Sequence, residues 1–122
     1  MALARDIMKG GFSWGSAKAV NGQIDSTVSA SGTSISDAKR LATSINVVTT
    51  AAASSGVQLP SAEIGDEVEI LNIGSNSVVV YPDASTARIN NLSTGSGFTL
   101  ATNTAVKLRK FTKLRWIGYL SA

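Results

Sequence analysis

Apolar and polar positions alternate over most of the second half of the chain. Val68, Ile70 and Asn72 interleave with Glu67, Glu69, Leu71 and Ile73. A period of two is the signature of a strand with one buried face. Gly74-Ser75-Asn76-Ser77 breaks the run, and Val78-Val79-Val80-Tyr81 resumes it as far as Pro82. Gly74 and Asn76 tolerate a tight connection, so the stretch predicts a β-hairpin. Ile45–Thr50 has the β-branched content of a further strand. Gly56-Val57 begins another after an Ala51–Ser55 loop tip, and Phe98-Thr99-Leu100 forms one more before the Ala101–Thr104 turn.

The run from Ala105 to Tyr119 separates by phase. Val106, Leu108, Leu114 and Trp116 fall on one face, and Lys107, Arg109, Lys113 and Arg115 on the other, with Phe111 between them. The first set is assigned to the core together with Val68, Ile70, Val78 and Val80. The second is a basic face. A row of cations beside an aromatic can follow a phosphate backbone. It is equally the solvated or edge-protecting face of a strand, or the complement of an acidic patch on another protein. The net charge is only +3, so nucleic acid is not the expected partner. Glu63, Asp66, Glu67 and Glu69 supply the opposite sign. They read as a solvated strand face, or as the answer to the basic face across a subunit boundary.

Upstream the pattern changes. Residues 1–32 read as an arm and residues 33–122 as a β-rich domain. Leu3, Ile7 and Met8 have helical spacing and stop at Gly10-Gly11, which predicts a short amphipathic helix. Phe12 and Trp14 follow among Gly and Ser. Such aromatics fold back on the chain's own core or dock on a neighbouring subunit, because ordering a Gly- and Ser-rich segment requires burial to offset its entropy. The arm's candidate contact residues are therefore Leu3, Ile7, Met8, Phe12 and Trp14. Ser36-Asp37 ahead of Ala38–Ala42 predicts a capped helical turn. No internal repeat or linker is evident.

The chain of 122 residues contains neither Cys nor His. The usual general base, the thiol nucleophile and the common zinc ligands are thus missing, and no catalytic constellation can be assembled from what remains. No cofactor or metal is expected. Gly95-Ser96-Gly97 and Gly10-Gly11 lack the flanking strand, helix and Lys-Ser/Thr of a phosphate loop. No apolar run approaches a membrane span, and no signal-peptide core is visible, so the expected setting is the cytoplasm of the producing cell.

The order Gly56-Val57-x-Leu59-Pro60-x-Ala62-x-x-Gly65-Asp66, then Ile70-x-Asn72-x-Gly74, Val80-Tyr81-Pro82 and Ile89-Asn90, with the finish Arg115-Trp116-Ile117-Gly118, resembles a module of small virion structural proteins of tailed bacteriophages. The resemblance spans roughly residues 47–119. It departs where the module turns on glycine and this chain has Asp83-Ala84-Ser85-Thr86. It implies a non-enzymatic virion protein of the head decoration or fibre type, made in the host cytoplasm. The expected fold is mainly β, a sandwich, jelly-roll-like or barrel domain preceded by the arm. The expected partners are the major coat protein or other virion proteins, with the chain itself a dimer or trimer. The alternative is a tail or fibre module that attaches to host glycan or protein through Tyr81, Asn90 and Asn91.

Overall fold

The computed structural model describes residues 23–121. Ten strands run through them: β1 (Ile24–Ser29), β2 (Lys39–Arg40), β3 (Ile45–Thr50), β4 (Gly56–Gln58), β5 (Glu67–Asn72), β6 (Val78–Tyr81), β7 (Arg88–Ile89), β8 (Phe98–Leu100), β9 (Thr104–Thr112) and β10 (Arg115–Leu120). Successive strands from β1 to β6 alternate between two sheets. One is six-stranded in the order β1-β3-β5-β9-β10-β7, and the other four-stranded in the order β2-β4-β6-β8. Neighbours within the first six strands are parallel. The chain therefore winds as three coils of a two-sided β-solenoid. It then closes on itself, with β8 antiparallel to β6, β9 antiparallel to β5, and β10 folded back on β9. β7 runs parallel beside the start of β10.

The fold is mainly β, as expected, but its wiring corrects the sandwich, jelly-roll and barrel expectations. Those architectures connect antiparallel neighbours, whereas here the coils stack in parallel. The coils also amount to a structural repeat, although too few residues recur between them for the sequence to announce it. Ile24 pairs with Ile45 and Ile45 with Glu69, each step just over twenty residues long. The predicted β5–β6 hairpin does not form. A buried asparagine explains why. Asn72 accepts the Gly74 N–H on its Oδ1 at 3.0 Å, and its Nδ2 donates to the carbonyls of Asn76 and Leu100 at 2.9 and 3.1 Å. These bonds brace a corner that carries the chain from one sheet to the other. A two-residue reversal would instead have returned it alongside β5.

Both sheets contribute to one core. Val28, Val48, Val68, Ile70, Val106, Leu108 and Trp116 come from the six-stranded sheet, and Val57, Val78, Val80 and Leu100 from the other. Seven of the eight expected core residues are buried; Leu114 is the exception, 50% exposed. The Ala105–Tyr119 run is two strands joined at Lys113-Leu114, and a register irregularity between Arg115 and Trp116 resets the phase. Alternation cannot be carried through a turn, so Leu114 leaves the core column.

No helix occurs among the described residues. The capped helical turn expected at Ser36–Ala42 is a loop leading into β2. The Asp37 carboxylate accepts the N–H groups of Thr33 and Ser34 and the Ser34 hydroxyl at 2.9–3.2 Å, closing the loop on itself. Gly32 lies under that loop with φ of 72°, where a side chain would strike Asp37. Ile24–Ser29, read as the end of the arm, is an integral strand with Val28 in the core. The proposed arm helix and Leu3, Ile7, Met8, Phe12 and Trp14 lie outside the described residues.

Candidate assembly surface

Strand β9 directs Val106, Leu108 and Lys110 inward and Lys107, Arg109 and Phe111 outward. Its neighbour β5 directs Val68, Ile70 and Asn72 inward and Glu67, Glu69 and Leu71 outward. The antiparallel register sets Glu67 opposite Arg109, Glu69 opposite Lys107 and Leu71 opposite Ala105. Arg109 and Glu67 form an ion pair of 2.8 Å. Glu67 and Glu69 thus lie against the basic face within one chain, whereas Glu63 and Asp66 belong to the loop before β5. At roughly half exposure the Arg109–Glu67 pair contributes only ~0–1 kcal/mol of stability.

The four basic residues do not form a single row. Lys107 and Arg109 share the outer face of β9, Lys113 occupies the β9–β10 turn, and Arg115 reaches sideways. Its Nε donates to the Asn90 carbonyl at 2.9 Å and its guanidinium also bonds the Asn91 side chain. The same guanidinium lies 5.5 Å from the Phe111 ring centroid. Arg115 therefore anchors the loop after β7, leaving Lys107, Arg109 and Lys113 as the outward cations of the set.

Around these charges the outer face of the six-stranded sheet is largely apolar. One row across the strands reads Ile24, Ile45, Glu69, Lys107, Tyr119, and the next reads Val47, Leu71, Ala105. Ile45, Val47 and Leu71 are half-buried, while Ile24, Tyr119 and Ile73 are each about 60% exposed. A sheet that faced only water would carry polar residues at these alternate positions. Apolar side chains left at the surface of a sheet in this way mark a candidate interaction face.

Sequence reasoning did not single out Lys110, which is 7% exposed. Its ammonium donates to Asp83 Oδ2 at 2.8 Å and to the Ala62 carbonyl at 3.0 Å, and lies 5.8 Å from the Trp116 ring centroid. Trp116 in turn donates its indole N–H to Asp83 Oδ1 at 3.0 Å. The Asp83 carbonyl accepts from Arg40 and Gln58. Asp83 is thus a hub that ties both sheets together. The hub's bonds are all satisfied by the chain, so it is structural.

The residues named for host attachment are also engaged. The Tyr81 hydroxyl donates to the Thr33 carbonyl at 3.1 Å, and Asn90 Oδ1 accepts the Gly118 N–H at 2.9 Å. Asn90, Asn91, Leu92, Phe98, Val106, Gly118 and Leu120 line an open groove of about 400 Å³. Among the described residues no group of His, Cys, Asp or Glu is arranged to hold a metal, and no helix is long and apolar enough to cross a membrane. Comparison with protein-family models, with curated proteins and with solved structures gives no match.

Proposed function

We propose that the chain is a non-enzymatic structural protein of a tailed-phage particle, most plainly a decoration or cement protein that joins the coat lattice as an oligomer. The observation that carries this reading is the apolar outer face of the six-stranded sheet, formed by Ile24, Ile45, Val47, Leu71, Ile73 and Tyr119. A rigid scaffold with its inner core already filled by Val48, Ile70, Leu108 and Trp116 has no internal use for a second apolar face. The similarity of the Gly56–Asn90 and Arg115–Gly118 motifs to virion modules supports the same role. Many copies of a modest interface add through multivalency on a lattice.

Purified particles test it. Mass spectrometry should find the chain in stoichiometric amounts in mature virions, and purified protein should rebind particles stripped of it. Absence from virions overturns the proposal.

The second reading, a tail or fibre module that binds host glycan or protein, draws on the groove beside Asn90 and Asn91. The Asn91 side chain lines it, with its oxygen accepting from Arg115. A glycan array separates the two, since a blank array together with particle rebinding leaves only the assembly role.

A further inference from the structure

Strands β3, β5, β9 and β10 are adjacent columns on the outer face of the six-stranded sheet, with the acids on β5 and the bases on β9. Consider a second copy placed face to face by a two-fold axis that runs along the strands between β5 and β9. Such an axis keeps each row level and exchanges columns, β5 with β9 and β3 with β10. Glu67 then faces Arg109 of the second copy, and Glu69 faces its Lys107. Leu71 faces its Ala105, and Ile45 faces its Tyr119. Every one of these matches follows from the register Ile45↔Glu69↔Lys107↔Tyr119 and the neighbouring rows.

We infer that this face is an isologous dimer interface between two copies of the chain. The inference deepens the assembly reading and rests on it. A self-complementary surface is what a two-fold contact requires, because each patch must match itself after rotation. Placing acids and bases in adjacent columns meets that requirement, whereas a heterologous partner would need only one sign. Two similarly twisted sheets can pack in this way with their strands within about 30° of each other. The affinity comes from Ile45, Val47, Leu71 and Tyr119 leaving water. The Glu67–Arg109 and Glu69–Lys107 sets fix the register, since desolvated ion pairs give specificity more readily than net binding energy.

The side chains concerned point away from the core, so their substitution leaves the fold in place, which circular dichroism verifies. Sedimentation velocity on the full chain at tens of micromolar is the measurement. Wild-type protein should sediment as a dimer, and Leu71→Arg should weaken dimerisation on the order of a hundredfold or more. The variant E67K/E69K has an all-basic face and K107E/R109E an all-acidic one. Each should be monomeric alone, and an equimolar mixture should form the heterodimer. A monomeric or trimeric wild type, a dimer indifferent to Leu71→Arg, or a mixture that stays monomeric overturns the inference. Particle rebinding distinguishes the two claims: a monomer that still rebinds defeats this interface alone, and a dimer that fails to rebind defeats the assembly role.

Discussion

Lys110 Nζ and Asp83 Oδ2 meet at 2.8 Å, with side chains only 9% and 10% exposed. The pair joins β9 of the six-stranded sheet to the segment that leaves β6 of the other, and Trp116 completes it from β10. In so dry a setting each charge depends on the other, because an ion left without its partner retains its desolvation cost.

Breaking the pair from one side should therefore be expensive. Lys110→Ala is expected to lower stability by ~3–5 kcal/mol. Asp83→Asn keeps an acceptor for Trp116 and strands the ammonium, so it should also destabilise. Combining Lys110→Met with Asp83→Asn should cost clearly less than the sum of the single changes in a denaturant-melt cycle. Additive effects would show that the two side chains do not act as a pair. Trp116→Ala, which empties a site 0% exposed, is expected to cost ~3–5 kcal/mol.

Asn72 should behave as a buried polar strut. Asn72→Leu leaves the Gly74 N–H and the carbonyls of Asn76 and Leu100 without the bonds they now make. Each buried group left unpaired costs ~1–3 kcal/mol. A chemical melt should thus show a loss of several kcal/mol in spite of the gain in apolar content. An unchanged midpoint would mean that the corner is braced by something else.

Leu114 provides the opposite test. It sits half-exposed at the β9–β10 turn, so Leu114→Ser should change stability by no more than ~0.5 kcal/mol. A loss comparable to that of Trp116→Ala would put Leu114 in the core and restore a single Ala105–Tyr119 strand.

What was legible in the sequence follows from what period-two alternation encodes. It identifies which face of a strand is buried, and so β3, β5, β6, β8 and the inward residues of β9 could be read directly. It does not identify the neighbouring strand. Val28 pairs with a second valine, Val48, but the next coil puts Asn72 in the same inward place, so too few identities recur for residue matching to reveal the repeat. Lys110 was open to notice. It lies in phase with Val106 and Leu108, and a cation in an apolar column implies a buried counter-charge. Its partner Asp83 was noted only as a departure in a turn. The outer apolar positions, by contrast, gain meaning only when several strands are set side by side.

Asp37 gives a pH prediction with a definite sign. Hydrogen bonds from Ser34, foremost its backbone N–H and then its hydroxyl, hold the Asp37 carboxyl below the ordinary aspartate range. A depressed value means that the ionised form is favoured in the folded loop. The associated stability is fully present above the unfolded-state value and is lost as pH falls through the folded-state one. Carboxyl-detected NMR titration should place the Asp37 midpoint below that of an unfolded peptide. Asp37→Asn should remove this component of the acid response while leaving the β-sheet spectrum intact. A midpoint at or above the peptide value would contradict the loop geometry.

Two truncations should separate the arm from the domain. Removing residues 1–22 spares β1 and every strand pairing among the described residues, so the β-rich circular dichroism spectrum and a cooperative melt should persist. Removing residues 1–32 deletes β1 as well. That takes Val28 out of the core and strips the parallel partner from β3, from Ile45 through Thr50. It also removes the Ser31–Gly56 bridge, whose two backbone bonds of 3.0 and 3.2 Å tie the first coil to β4. Loss of one buried valine alone would cost ~1.5–3 kcal/mol, and domains are stable by only ~5–15 kcal/mol in total. The longer truncation should therefore melt at much lower temperature or fail to fold. If both truncations fold equally well, β1 is dispensable and the domain begins later than the sheet pairing indicates. If neither folds, residues 1–22 belong to the domain's own core, and an arm that docks on a neighbour is ruled out.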